Sequence, residues 1–424
     1  MPPPSPNPDS PSKHDPYAAL RSPNYRRFAS GFLFSSTGLQ MLGTAIGWEI
    51  YERTHDPLML GYVGLARALP VILLALPAGH AIDHFNRKRV LVVTQFAMGL
   101  AAALMAFASY HTVPLWTIYA LLVLTGCARS FNGPSRASIL PMIIEPGDFH
   151  NAVTWNSSVF QISATAGPIL AGLMIHQFGA AWPVYVVTAA GCFAFALSSS
   201  FLKPRHRARP TGPLTLRSMT AGISHVWREK TVLSAITLDL FAVLFGGATA
   251  LMPVYAKDIL HVGPVGLGIL KAAPYVGAFV MALAIAHMPP IRRSGPALLL
   301  SVAGFGLATV AFGLSTWFPL SLAVLFVAGA LDNISVVIRH VLVQVRTPDE
   351  LRGRVAAVNS VFIESSNELG GFESGLVARF LGPVFSVVSG GVGTLAVVVA
   401  VALIWPEIRR LGSLHEESKA ALVK

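Results

Sequence analysis

The 424-residue sequence is poor in charged residues and in cysteine, and both shortages exclude whole classes of protein. Asp, Glu, Lys and Arg make up only 12% of it, about half the share of an ordinary soluble domain. The two cysteines, Cys127 and Cys192, are too few for a disulfide framework, and no Cys/His spacing is typical of a zinc site. The sequence motifs of serine hydrolases, P-loop proteins and zinc peptidases are missing as well. We therefore expect neither an enzyme nor a bound cofactor.

The sequence is instead rich in long apolar runs. Twelve of them are each long enough, at 18 residues or more, to cross a hydrocarbon core of about 30 Å. They lie near 28–50, 58–81, 88–110, 114–136, 153–177, 182–202, 232–256, 265–287, 295–315, 319–343, 355–378 and 383–405. The sequence thus predicts an all-α polytopic membrane protein with twelve transmembrane helices.

The basic residues are distributed unevenly between the loops. If both termini lie on one side, 24 of the 31 Lys and Arg residues fall on that side, and only Arg53 and Lys257 lie in loops of the other. Positive charge marks the cytoplasmic side, so both termini are predicted to be cytoplasmic, in a bacterial inner membrane. The net charge of +11 then follows from topology, and no nucleic-acid partner is expected.

The chain divides into two similar halves. The basic loop 203–230 is a predicted cytoplasmic linker between two six-helix bundles, 25–202 and 231–405. The Pro-rich segment 1–24 has no apolar signal-peptide core and is predicted to be a disordered cytoplasmic tail. Residues 406–424 form a second cytoplasmic tail.

Repeated short motifs indicate that the halves are related. "GLARALP" at 64–70 and "GILKAAP" at 268–274 share a glycine, a basic residue and a proline at the same spacing, so Arg67 matches Lys271. "GPILAGL" in span 5 similarly matches "GGFESGL" in span 11. Two parallel repeats of this kind predict pseudo-symmetric bundles around a central pathway.

The loop between spans 2 and 3, "GHAIDHFNRKRV", resembles the signature of the major facilitator superfamily. The matching residues are Gly79, Asp83, Asn86, Arg87 and Lys88. The family usually has glycine where Asn86 stands, a mild departure because Asn tolerates left-handed backbone. The resemblance implies a latch between the halves, with the aspartate near 352–354 at the start of span 11. In the simpler alternative, the basic residues only anchor the topology.

Two further motifs and two longer stretches narrow the resemblance. "SATAGPILAG" resembles an antiporter signature and "RSFNG" resembles an element of proton-coupled exporters that contains Arg129, although close packing or a structural ion pair would explain them too. "PVYAKDILHVGPVGLGILKAAPYVGA" and "SNELGGFESG" resemble the enterobactin-exporter-like branch of the drug:proton antiporters. The antiporter residues are Ser163, Gly167, Pro168, Ala171 and Gly172.

Acidic residues inside the spans are candidates for proton coupling, since charges that face lipid are costly. Asp239 and Asp332 fall in spans 7 and 10, which in this fold line the cavity, and burial there favours a protonated carboxyl group. The alternative for Asp332 is an ion pair with Arg339, seven residues along the same helix. Glu49, near the membrane surface, is expected to be solvated.

Charges in spans 2, 8 and 11 form a second set of candidates. Glu364 and Glu368, four residues apart, repel each other and favour protonation of one, unless Arg67 pairs with them across the contact of spans 2 and 11. Lys271 in span 8 faces span 5, which lacks acids, so it either snorkels to water or attracts the anionic or catechol part of a substrate. The aromatic pair Phe241 and Phe245 is a candidate apolar wall of the same cavity.

The leading functional hypothesis is a monomeric, proton-coupled exporter of a bulky small molecule, such as a siderophore or drug-like compound, in the lipid bilayer. An ion gradient is the expected energy source because the sequence lacks a nucleotide site, and alternating access is the expected mechanism. One alternative is an importer of a nutrient or siderophore. Another is a transport-dead sensor or scaffold, for which the loops and tails are short.

Overall fold

The computed structural model describes residues 15–205, 223–414 and 416, and within these residues the chain forms twelve long helices. The first six are α1 Pro23–Thr54, α2 Pro57–His84, α3 Arg87–Tyr110, α4 Leu115–Ile143, α5 Phe149–Phe178 and α6 Trp182–Ser200. The seventh, α7, is a broken helix with parts Lys230–Phe245, Ala248–Val254 and a π-helical turn Tyr255–Ile259. The last five are α8 Gly263–His287, α9 Ser294–Leu314, α10 Phe318–Arg346, α11 Asp349–Leu381 and α12 Pro383–Ile404.

Nine of these helices are long and apolar enough to cross a membrane by length and composition, counted over the described part of the chain. The other three, α1, α4 and α11, contain more small, polar or charged residues. A helix that faces a polar interior can carry such residues, because they need not contact lipid. The predicted all-α membrane fold is confirmed.

The two halves pack in the same way. In the first half α1 contacts α5 and α6, α2 contacts α4, and α3 contacts α6. In the second half α7 contacts α11 and α12, α8 contacts α10, and α9 contacts α12. The halves meet mainly through α2 against α11 and through α5 against α8. This pattern is the predicted pair of pseudo-symmetric six-helix bundles.

Glycine makes the contacts between the halves possible. A Cβ atom at Gly64 of α2 would collide with the carbonyl oxygen of Glu368 in α11. A Cβ atom at Gly268 of α8, the matching residue of the second half, would collide with the carbonyl oxygen of Pro168 in α5. Backbones that approach so closely leave no room for a side chain, so both contacts depend on these glycines.

The bundle has a terminal side, where α1 begins and α12 ends, and a distal side opposite to it. On the distal side Lys257 Nζ lies 2.8 Å from Glu52 Oε2, and the hydroxyl group of Tyr51 donates to Asp258. One hydrophobic core cluster there includes residues of both halves. The core clusters toward the terminal side each belong to a single half. The halves are therefore joined on the distal side.

The described parts of both tails pack on the bundle. Asn151 Nδ2 and Trp155 Nε1 of α5 donate to the carbonyl oxygen of Pro16 at 2.8 and 3.0 Å. Ala19 is fully buried. At the other end, Ser294 N donates to Gly412 O at 3.1 Å. The prediction of a disordered tail over 1–24 is thus wrong for residues 15–24, because α5 binds their backbone, and residues 1–14 lie outside the described part.

Candidate functional site

A cavity of about 650 Å³ lies between the two halves, within the usual size range of small-molecule sites. Its wall is formed by α1, α2 and α5 of the first half and by α7 to α11 of the second. Gln40, Thr44, Gln161 and Tyr275 are among its polar residues. Its ionisable side chains other than tyrosine, within the described residues, are Arg67, Lys271, Asp332 and Glu368.

Two guanidinium groups surround the Glu368 carboxylate. Arg67 Nη1 of α2 and Arg129 Nη1 of α4 each lie 3.8 Å from Glu368 Oε1. Arg67 therefore lies beside Glu368, as the sequence analysis expected if these two residues form an ion pair. Glu364, one turn before Glu368, has an exposed side chain and is not part of the cavity wall. The protonation of one of these two acids stays a prediction.

Lys271 faces the cavity. Its Nζ atom donates to the carbonyl oxygen of Gly43 in α1 at 3.1 Å. A Cβ atom at Gly47, one turn further along α1, would lie 4.0 Å from Nζ. No carboxylate lies within ion-pair distance of Lys271 in the described part of the chain, so no side chain there pairs with its ammonium group.

The two candidate aspartates have opposite surroundings. Asp239 of α7 is buried and forms an ion pair with Arg339 of α10. The side chain of Asp332 is open to the cavity and has neither a hydrogen bond nor an ion pair with any described residue. The alternative pair of Asp332 with Arg339 is not formed. Seven residues span about 10 Å along a helix, whereas Asp239 approaches Arg339 directly from the neighbouring helix.

A buried polar network holds α4 in place, and sequence reasoning missed it. Asn132 Nδ2 donates to Thr94 Oγ1 at 2.9 Å, and Gln95 Nε2 of α3 donates to Asn132 Oδ1 at 3.3 Å. Ser35 Oγ of α1 donates to Gln95 Oε1 at 2.9 Å. Asn132 lies one turn after Arg129, so the network positions the helix that carries this arginine to Glu368.

Asn132→Ala is expected to destabilise the protein by about 1–3 kcal/mol, because it leaves the buried Nε2 group of Gln95 without its acceptor and removes the donor to Thr94 Oγ1. Thermal unfolding of the detergent-solubilised protein measures this. The matched control is Asn367→Ala, because Asn367 is exposed and bonds only to a backbone carbonyl of its own helix. Equal effects of the two substitutions would argue against the network.

The facilitator-like loop is described only in part. The Asn86 side chain accepts hydrogen bonds from the backbone N–H groups of Lys88 and Arg89 at 3.0 and 3.3 Å, as an N-cap of α3 does. Its φ of −66° is not left-handed, so the conformational explanation of Asn at this position is wrong. Lys88 and Arg87 contact Leu202 and Met142 of their own half. The side chain of Asp83 and the surroundings of Gly79 lie outside the described part of the chain, and the latch stays a prediction.

The antiporter-like motif packs α5 against two neighbours. Thr37 Oγ1 of α1 donates to Ser163 Oγ at 3.1 Å, and Gly167 lies against the backbone of α1. Pro168 and Gly172 contact the backbone of α8 in the other half. Ala171 between them is fully buried. The small residues of this motif therefore allow close helix contacts both within a half and between halves.

Three predicted positions differ from expectation. Phe241 and Phe245 stack on each other with ring centroids 6.3 Å apart, and neither is part of the cavity wall. Phe245 instead packs on Gly393 of α12. Glu49 is buried rather than solvated, because Tyr185 Oη donates to it at 2.6 Å and Arg53 pairs with it at 2.6 Å.

A comparison with protein families identifies the family of this chain. The family model of the transmembrane secretion effectors, a branch of the major facilitator superfamily, matches residues 14–422. The chain belongs to this family. The resemblance drawn from the sequence motifs is confirmed, and a transmembrane secretion effector is a transporter rather than an enzyme.

Relatives that match over most of their length support this family assignment. The enterobactin exporter EntS of Shigella boydii serotype 4 (strain Sb227) is 24% identical over 394 residues, which cover 92% of this chain and 93% of that protein. The protein of the same description from Escherichia coli O139:H28 (strain E24377A / ETEC) has the same identity and coverage.

Solved structures share the fold at low identity. A bacterial homologue of the human lysosomal transporter Spinster, inward-facing and unoccupied, has a TM-score of 0.66 at 14% identity, over 90% of this chain and 95% of its own. The D323A mutant of the nucleoside transporter NupG has a TM-score of 0.70 at 12% identity, over 90% of this chain and 100% of its own. These likenesses show that the secretion effector has the major facilitator fold.

Proposed function

We propose that this secretion effector is a proton-coupled exporter that moves a bulky small molecule across the bacterial inner membrane by alternating access. The observation that carries the proposal is the cavity between the halves, to which helices of both halves contribute charged side chains. A site at the interface of two repeats is exposed to one side or the other when the repeats rock. The protein needs no further domain for such a cycle.

The uneven distribution of the basic residues supports a cytoplasmic location of the terminal side. The ion pair of Lys257 with Glu52 and the shared core cluster then close the periplasmic side. In this state a substrate would enter the cavity from the cytoplasm and leave after the distal contacts separate, which is the sequence of events that export requires.

Asp332 is the residue we assign to proton coupling. Glu368 lies between two guanidinium groups, and Asp239 is held by Arg339 away from the cavity. Asp332 therefore remains as the carboxylate of the cavity wall, among the described residues, that no cation neutralises. A proton would neutralise it in one state of the cycle and leave in the other.

The proposed substrate class is a siderophore or drug-like compound, and the support for it is the enterobactin exporters among the relatives. Import of a nutrient or siderophore uses the same fold, so direction has to be measured. The test is uptake of labelled enterobactin, and of rhodamine B as a drug-like dye, into everted vesicles with an acidic interior, with right-side-out vesicles as the control for direction.

We expect uptake into everted vesicles to follow the imposed proton gradient without ATP. A protonophore should reduce it to the level of vesicles that lack the protein, because the gradient is the energy source. Faster uptake into right-side-out vesicles would favour the importer. Uptake that requires ATP and resists the protonophore would refute proton coupling.

A further inference from the structure

The charged side chains of the cavity wall fall into two kinds. Arg67 and Glu368 form one group with Arg129, in which each arginine is 3.8 Å from the same carboxylate oxygen. Lys271 and Asp332, by contrast, have no side-chain ion partner among the residues that the structure describes. An unpaired charge away from bulk water is costly, so these two groups call for a partner that enters from outside.

The ammonium group of Lys271 is arranged to bind an anion. Its contact with the Gly43 carbonyl oxygen at 3.1 Å uses one of its three N–H donors and leaves its charge uncompensated. Arg67 and Glu368 are near enough to act on it electrostatically, but with opposite signs. A Cβ atom at Gly47 would lie 4.0 Å from Nζ and 3.1 Å from Cγ of Pro253, so the glycine keeps this side of the ammonium group free of a side chain.

Asp332 is too far from Lys271 to neutralise it. The two residues lie on α8 and α10, which run in the same direction and are in contact where Gly329 meets Pro274. Lys271 is three residues before Pro274, and Asp332 is three residues after Gly329. At 1.5 Å per residue the two backbone positions are offset by about 9 Å along the helices, with Asp332 nearer the terminal side.

We infer that the cavity binds an amphoteric substrate, with an anionic group at Lys271 and a cationic group at Asp332, two positions that are offset by about 9 Å along their helices. The inference names the substrate class of the proposed exporter and rests on that function. A molecule with only a negative charge would be repelled by Asp332, and one with only a positive charge by Lys271. The cationic group would also take the place of the proton at Asp332.

Three dyes of similar size distinguish a site for amphoteric molecules from a site for anions or for cations. Rhodamine B carries a carboxylate and a cationic ring system, its ethyl ester keeps only the cation, and fluorescein keeps only the anionic groups. Fluorescence polarisation measures the binding of each dye to the full-length protein in detergent. The variants are Lys271→Met and Asp332→Asn, with Lys203→Met as the same charge change outside the cavity.

We expect the wild type to bind rhodamine B more tightly than either single-charge dye. Lys271→Met should weaken rhodamine B by about tenfold, the effect of losing one charge-assisted contact, and should not weaken the ester. Asp332→Asn should weaken rhodamine B and the ester but not fluorescein. Lys203→Met should change none of the three.

The inference is overturned if rhodamine B does not bind more tightly than both other dyes, including the case in which no dye binds. It is also overturned if Lys271→Met weakens rhodamine B and its ester alike. Because binding in detergent requires no transport, the expected dye preference without proton-driven uptake would refute the proposed function and leave the amphoteric site standing. Proton-driven uptake without the dye preference would support the proposed function and refute the amphoteric site.

Discussion

Arg339→Met is expected to destabilise the protein by about 3–5 kcal/mol, since it strands the buried carboxylate of Asp239. The side chains of the pair are only 12% and 8% exposed, so water cannot replace the lost partner. Folded protein recovered from membranes and the thermal unfolding of the purified protein both measure the effect. We expect most of the single variant to be lost.

The double variant Asp239→Leu/Arg339→Met is the control for this prediction. Replacing a buried ion pair by apolar residues of similar volume is often neutral, so the double variant should recover much of the lost stability. Arg339→Met protein as stable as the wild type would mean that the pair does not hold α7 to α10.

Asp332→Asn is expected to abolish proton-driven transport without loss of folded protein. The substitution removes the carboxylate that carries the proton in our proposal, yet it strands no partner, because no described residue pairs with Asp332. Uptake into everted vesicles under an imposed pH gradient should fall to the level of vesicles that lack the protein. The amount of folded protein, measured on the same membranes, should stay at the wild-type level.

Glu364→Gln is the matched control, because Glu364 is an acid of the neighbouring helix whose side chain is exposed and outside the cavity wall. It should keep gradient-driven uptake. Wild-type uptake by Asp332→Asn would exclude this residue from coupling, and a loss of folded protein would mean that it has a structural role.

Much of the fold could be predicted from the sequence because its determinants are local or repetitive. A membrane span depends on the apolar content of about twenty consecutive residues, and the twofold arrangement depends on matches such as Arg67 with Lys271. Arg67 and Glu368 were brought together because the resemblance to the major facilitator superfamily implies a contact between α2 and α11. Their separation of 3.8 Å agrees with that expectation.

The partners of the other charges could not be predicted, because they come from distant parts of the chain. Arg339 pairs with Asp239, which lies 100 residues earlier in the chain, and not with Asp332 on its own helix. Glu49 is buried because Tyr185 donates to it. Spacing along one helix shows which side chains share a face, but not which neighbouring helix presents a better partner.

Arg67 and Lys271 occupy corresponding places in the two halves, yet they have unequal surroundings. The register that matches "GPILAGL" with "GGFESGL" sets Thr165 of α5 against Glu368 of α11. One copy of the repeat therefore carries an acid at this position and the other carries a hydroxyl group. The shared features of the copies build the scaffold, and chemical selectivity resides in the few positions at which they have diverged.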